Sequence, residues 1–545
     1  MKKYILLLFL FLQPAGEVSA DDYPKNPNID IRHYSFSITL SDGSNIIAGE
    51  TTITVAFKKE SIPQMRLDLI NKTEHLDGKG MSVTSVSSHE RALTYNHQND
   101  ALIIHFPDSF ARKSTIQLTI KYSGIPADGL RIGPTKYGNR SFFSNNWPNR
   151  ARHWLPVLDH PHEKATCEFK ITAPTHYQVI SNGLLQEESN LVNGHKFTHW
   201  KQSVPIPSWL YVLGVAEFAV QHLDEFMGIP VQSWVYPQDR EEGFRDFATP
   251  THHSLRFFSD YIGPYTYEKY ANVQSPSVGG GMEAATAVFY NENAITGDQT
   301  TRLHNVIVHE IAHHWFGNAV TESTWDDAWL SEGFATYFTK MFREHAFGWD
   351  DFQQEMHSAR DRVLEYYMDN PGYKIISDRS PETESVTSLA TYQKGAWVLH
   401  MLRNRVGNRA FQQGIQSYYK HYLNSTASTS DFRIEMEQAS GDDLEPFFRQ
   451  WLYQGGNPEL RGTWSYNPQQ STITVQMEQV QAENFQFAIP IEFGIYTQKQ
   501  LLPNVTTVHM DQQSQELTIP VDGEPDSVVI DPNTKLLAKW NFSKQ

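Results

Sequence analysis

Along this chain the spacing of apolar residues changes period twice. In 21–217 the period is two: Tyr34, Phe36, Ile38 and Leu40 alternate with polar neighbours, as do Ile53, Val55 and Phe57, and Ile116, Leu118, Ile120 and Tyr122. Residues two apart share one face of a strand, and turn-forming runs such as Ser41-Asp42-Gly43-Ser44 separate the stretches. This part is predicted as an antiparallel β domain. Over 218–455 the spacing becomes helical, in 255–262, 302–316, 333–345, 395–406 and 409–422. Gly455-Gly456-Asn457-Pro458 then punctuates a return to alternation in 456–545, with Ile473/Val475/Met477, Phe485/Phe487/Ile489 and Val528/Ile530. The expected class is multidomain α+β, ordered β, mostly α, β, without internal repeats or low-complexity tracts.

Composition narrows what such a chain does. Hydrophobic residues make up 39% and charged ones 20%, enough to bury sizeable cores and unlike a disordered chain. A net charge of −17, with no basic block after the first residues, would repel a phosphate backbone, so nucleic acid is excluded as a partner. Residues 1–20 read as a signal peptide: Lys2 and Lys3, an apolar run over 4–12, and Val18-Ser19-Ala20 as the cleavage site. No later run reaches about 18 apolar residues, so no transmembrane segment is expected in the mature chain. The expectation is an exported protein, periplasmic or secreted. The lone Cys167 suits that compartment, since it has no partner for an intramolecular disulfide, and it reads as a small buried hydrophobe.

Candidate chemistry concentrates in the helical part. His309-Glu310-Ile311-Ala312-His313 is an H-E-x-x-H string. On a helix its two imidazoles lie one turn apart on one face, where both can reach one zinc ion. Glu310 is rotated about 100° from His309 and addresses a water at the metal rather than the metal. By itself the string also suits a helix with scattered surface histidines. Eighteen residues separate His313 from Glu332, which stands beside a run of Phe334, Tyr337, Phe338 and Met341 at helical spacing. A carboxylate there completes a His-His-Glu set with the fourth position open, as a catalytic zinc requires. Asp326 on the intervening loop is a candidate acceptor for a ligand imidazole N–H.

This arrangement resembles the zinc aminopeptidases related to aminopeptidase N and the leukotriene epoxide hydrolase. Two further segments carry the resemblance: Val278-Gly279-Gly280-Gly281-Met282-Glu283 is similar to the G-x-M-E-N exopeptidase motif, and Tyr392-Gln393-Lys394-Gly395-Ala396 to the segment of the catalytic tyrosine. The stretch from Asn146 to Pro161 is similar to one in the N-terminal β domain of bacterial members. The resemblance implies a thermolysin-like catalytic domain, a C-terminal β-sandwich and one Zn2+ per chain held by His309, His313 and Glu332. It implies hydrolysis of the N-terminal peptide bond of peptides by a zinc-activated water, with Glu310 as general base. Tyr392 would support the oxyanion; Gly279, Gly280, Gly281, Met282 and Glu283 would bind substrate, Glu283 taking the free amine. The chain departs from the pattern at Ala284, where the motif has Asn, and at Trp147, where many members place a Gln or Glu toward the amine. It reads as a short bacterial-type member, without the helical C-terminal domain that covers the cleft in larger ones. The alternatives are a catalytically inactive peptide-binding scaffold and a dual peptidase/epoxide hydrolase.

Overall fold

A computed structural model describes residues 23–107, 114–377, 385–482, 485–497 and 502–545. The expected signal peptide lies outside these residues. Among them no helix is long and apolar enough to cross a membrane.

The alternating runs of the first part form an eight-stranded sheet. Ile29–Ser41 and Ser44–Phe57 make a long hairpin at its centre, with Thr115–Ile125 on one side and Ala165–Pro174 on the other. The residues picked out by alternation, such as Phe36, Ile38, Ile53 and Leu118, are buried. One pair departs from the antiparallel expectation: Ile29–Ser41 and Ala165–Pro174 run parallel, with Phe36 opposite Phe169. More than a hundred residues lie between them, so the chain has room for the crossover that a parallel pair needs, and nothing in the local pattern reports it. Cys167 lies on this second strand, fully buried.

The middle part is mixed rather than purely helical. Five strands order as Ala219–His222, Val231–Val235, Tyr270–Ser275, Val288–Asn291 and Gly281–Met282. The last is an edge strand, antiparallel to its neighbour, with Met282 opposite Phe289. Helix α1 (Arg240–Tyr261) packs on this sheet and on α2 (Thr301–His313). Thr300 caps α2, its hydroxyl accepting the Leu303 N–H. Next come α3 (Trp329–Phe347), α4 (Trp349–Asp369) and α5 (Gly395–Val406). Helix α3 is buried from Trp329 to Arg343, its polar residues included, which makes it the central rod of this half. Helices α2 and α3 run antiparallel. Glu332 at the start of α3 meets His309 and His313 late in α2, while Arg343 further along α3 donates to Asn305 earlier in α2 (2.9 Å).

Where α3 meets α5 the backbones nearly touch. A Cβ on Gly333 would stand 3.1 Å from the Gly395 Cα, so two glycines fix how closely Glu332 approaches the segment of Tyr392. The final strands form two sheets of four and three, with Phe493 of one and Phe542 of the other in ring contact at 5.7 Å. The chain as a whole is a mixed α+β structure.

Candidate active site

Five elements converge on one cavity of about 690 Å³: the edge strand, α2, α3, α4 and the segment leading into α5. From α2 come His309, Glu310 and His313, and from the first turn of α3 comes Glu332. The two histidine Nε2 atoms are 3.0 Å apart, and Glu332 Oε2 lies 3.4 Å from that of His309 and 3.3 Å from that of His313. A tetrahedral ion with bonds of about 2.0–2.1 Å separates its donor atoms by about 3.3–3.4 Å, close to this triangle. Glu332 Oε2 is also buried and accepts no hydrogen bond. An orphaned carboxylate oxygen facing two imidazole nitrogens has the chemistry of a ligand waiting for a cation, so the three residues fit a metal ion. Glu283, Glu310 and His313 form a second converging set. In it Glu283 Oε1 reaches the Nδ1 side of His313, at 3.9 Å, and that nitrogen already meets Phe316 O at 3.2 Å and Ser331 Oγ at 3.0 Å.

At His313, Phe316 O and Ser331 Oγ take the place expected for Asp326. Helix α3 begins at Trp329, so Ser331 sits in its first turn and faces His313. Asp326 is left on the short turn Trp325–Asp327 before the helix.

Glu310, from the same helix, faces the edge strand. A Cβ on Gly281 would overlap its Cγ, Cδ and Oε1, so the glycine lets the strand lie directly against the carboxylate. Of the five expected substrate-binding residues, Gly280, Gly281 and Glu283 line the cavity. Gly279 lies outside its wall and the Met282 side chain turns into the core, because alternation along a strand sends neighbours to opposite faces. Glu283 is buried, its Oε1 accepts no hydrogen bond, and Asn318 holds its backbone carbonyl (2.6 Å). Trp147 stacks edge-on against Trp209 and Trp325, so an aromatic cluster stands where the resemblance led to an amide or acid. Tyr392 donates its O–H to Glu332 Oε1 at 2.7 Å, and its ring stacks over His309.

Electrostatics follow from this crowding. Burial, then the adjacent Glu283, holds the Glu310 carboxyl well above its usual range. Burial likewise raises Glu283, against the pull of His313. Glu332 goes the other way: burial opposes ionisation, but His313 and His309 hold it below the usual carboxylate range. Burial would lower His313, yet Glu283 and Glu332 carry it up to about 10. Burial and the neighbouring Glu332 push the Tyr392 phenol well above its ordinary value, so it is a proton donor at any working pH.

Three candidate donors on one side of a cavity that is open on the other fit a catalytic type of metal site better than a closed structural one. Comparison with known proteins agrees. Residues 31–210 match the model of the peptidase M1 N-terminal domain and residues 248–451 that of the peptidase family M1 domain. The chain belongs to peptidase family M1. It is similar to the glutamyl aminopeptidase of Rattus norvegicus, 27% identical over 78% of this chain and 47% of that one. The Bos taurus glutamyl aminopeptidase is 31% identical over 57% and 34%. The chain thus spans about half the length of the curated relatives it matches. Among solved structures, the M1 zinc metallopeptidase from Deinococcus radiodurans superposes with a TM-score of 0.66 at 25% identity, covering 78% of this chain and 93% of that one.

Proposed function

We propose that this chain is a zinc-dependent aminopeptidase that removes the first residue from peptides with a free N-terminus. The observation that carries the reading is Glu283: a buried carboxylate with an oxygen that accepts no hydrogen bond, in the same cavity as His309, His313 and Glu332. A peptide ammonium is the cation suited to satisfy it, and an endopeptidase has no use for it there. In this reading His309, His313 and Glu332 hold one zinc per chain. Bound there, the metal supplies Lewis acidity, polarising a carbonyl and making water easier to deprotonate.

The chain's own residues do the rest. Glu283 receives the ammonium and so sets which peptide bond is first. The edge strand Gly281–Met282 offers backbone groups along which an extended substrate aligns. Glu310 takes the proton of the attacking water and hands it to the departing amine, which leaves as the new N-terminus. Tyr392 shifts its O–H from Glu332 to the oxyanion of the tetrahedral intermediate. The reading also takes the middle part as a thermolysin-like domain, the two final sheets as a sandwich, and the protein as exported after cleavage behind Ala20. N-terminal sequencing of the mature protein checks that last point.

A panel of aminoacyl-coumarin amides, with and without a chelator, tests the proposal, alongside a good peptide substrate and its N-acetylated form. Expected are chelator-sensitive turnover of at least one amide and no cleavage of the acetylated peptide. Equal cleavage of the acetylated peptide would remove Glu283 from its role.

A further inference from the structure

The cavity does not stop at the metal ligands; it runs on along the groove between α2 and α3 to a basic end. Arg302 precedes His309 by seven residues, two turns away on the same face of α2, about 10.5 Å along the axis. Lys340 follows Glu332 by eight residues, about 12 Å along α3. Because the helices are antiparallel, both displacements point the same way. Arg362 of α4 joins them in the cavity wall. The amine-binding Glu283 lies beside His313, at the opposite end.

The charges at the basic end are unbalanced. Lys340 is buried and faces Glu355 at 3.6 Å, yet burial, with Arg362 adding to it, pushes its ammonium down to about 8. Glu355 is already shared, since Arg343 reaches it at 3.6 Å. Arg302 and Arg362 have no ion-pair or hydrogen-bond partner among the described residues, whereas Arg343 beside them is tied to Asp351 and Asn305. Two solvent-exposed guanidinium groups, on the wall of a cavity whose other end gathers Glu283, Glu310 and Glu332, are a site for an anion, and guanidinium matches carboxylate geometry.

We propose that Arg302 and Arg362, backed by Lys340, bind a carboxylate two or three residues beyond the cleaved bond. An extended peptide advances about 3.3–3.6 Å per residue, so the roughly 10.5 Å along α2 from His309 to Arg302 corresponds to about three residues. The carboxylate is either the C-terminus of a tri- or tetrapeptide or an acidic side chain at that position. The favoured substrates are thus short or acidic peptides. This rests on the aminopeptidase reading above.

The test uses the whole protein and, as first residue X, the one whose coumarin amide is turned over fastest. The substrates are X-Ala-Ala and X-Ala-Ala-Ala as free acids and as amides, with X-Ala-Asp-amide as the side-chain arm. We expect the free acid to exceed its amide in kcat/KM by about tenfold or more, chiefly through KM, as for one charge-assisted hydrogen bond. The Asp amide should recover the gain if a side chain serves as well. Arg302→Gln with Arg362→Gln should bring the acid-to-amide ratio, measured within that variant, to near one. Calorimetric binding of the same acid and amide to Glu310→Gln gives the ratio without turnover. Equal values for acid and amide, or an unchanged ratio in the double variant, would overturn the proposal while leaving the aminopeptidase intact. No turnover of any aminoacyl amide would overturn both.

Discussion

The contact between Gly281 and Glu310 allows the proposed general base to be disturbed without touching it. In Gly281→Ala the new methyl group would lie well inside 3.0 Å of the Glu310 Cγ, Cδ and Oε1, closer than real Cβ atoms come. Because Cγ is among these atoms, a turn of the carboxylate tip does not relieve the overlap. The whole side chain must withdraw by about 1 Å to reach ordinary van der Waals contact. Glu310 is buried, so it has little room to do this smoothly. A general base acts only within hydrogen-bond reach of its proton, and a displacement of about 1 Å costs on the order of 10²-fold. That is about 2.7 kcal/mol of transition-state stabilisation. We therefore expect Gly281→Ala to lower kcat about a hundredfold on the best aminoacyl amide, with zinc content by mass spectrometry unchanged. Gly280→Ala, whose Cβ meets nothing within 4 Å, separates this effect from stiffening of the strand and should lose far less. A Gly281→Ala enzyme within threefold of wild type, or losses matched in the two variants, would refute the placement of Glu310 as base against this strand.

Three further outcomes follow. Tyr392→Phe should keep its zinc and KM but lose about 10²–10³ in kcat, the usual cost of one oxyanion donor; a kcat within threefold of wild type would leave the hydroxyl only its bond to Glu332. Metal-stripped protein should regain about one zinc per chain and gain roughly 5 °C or more in Tm on zinc addition, and Glu332→Gln should do neither; equal uptake by both would remove Glu332 from the ligand set. Lys394 is buried, donating to Gly456 O at 2.7 Å, and burial lowers its ammonium to about 7. Its folded value lies below the unfolded one, so the unfolded chain binds more protons between about 7 and 10.5 and stability rises with pH there. The contribution is complete above about 10.5 and lost as pH falls through about 7. Urea midpoints should climb from pH 7 to 9 in wild type relative to Lys394→Met, and parallel curves would contradict the burial argument.

The parts of the fold that alternation exposed in the sequence are those whose strands have one face in the core and one in water. Phe36, Ile38, Ile53 and Leu118 were readable for that reason, and so was the Gly455–Pro458 break before the final strands. The five-stranded sheet of the middle part was not. Val231–Val235 and Tyr270–Ser275 are buried at every position, and a strand covered on both faces has no period to detect. The parallel pairing of Ile29–Ser41 with Ala165–Pro174 was equally invisible, because it is a long-range contact and register between distant strands leaves no local mark.

The site divides along the same line. His309, Glu310 and His313 share one helix, so their geometry follows from spacing alone, and Glu332 needed only a second helix to face the first. Glu283 and Tyr392 carry no such periodic signal; a short edge strand and a distorted helical start bring them in, and only resemblance pointed to them. Arg302, Lys340 and Arg362 were missed although two of them also lie on the ligand helices. Spacing of seven and eight residues from His309 and Glu332 would have placed them on the ligand faces. What spacing cannot supply is the direction of α3 relative to α2. Had the helices been parallel, Arg302 and Lys340 would lie on opposite sides of the metal and no common anion site would exist. The Arg343–Asn305 contact settles that direction, and with it the charge gradient of the groove, from carboxylates at the amine end to guanidinium groups at the far end. A peptide, with its ammonium at one terminus and its carboxylate at the other, has the same polarity in reverse.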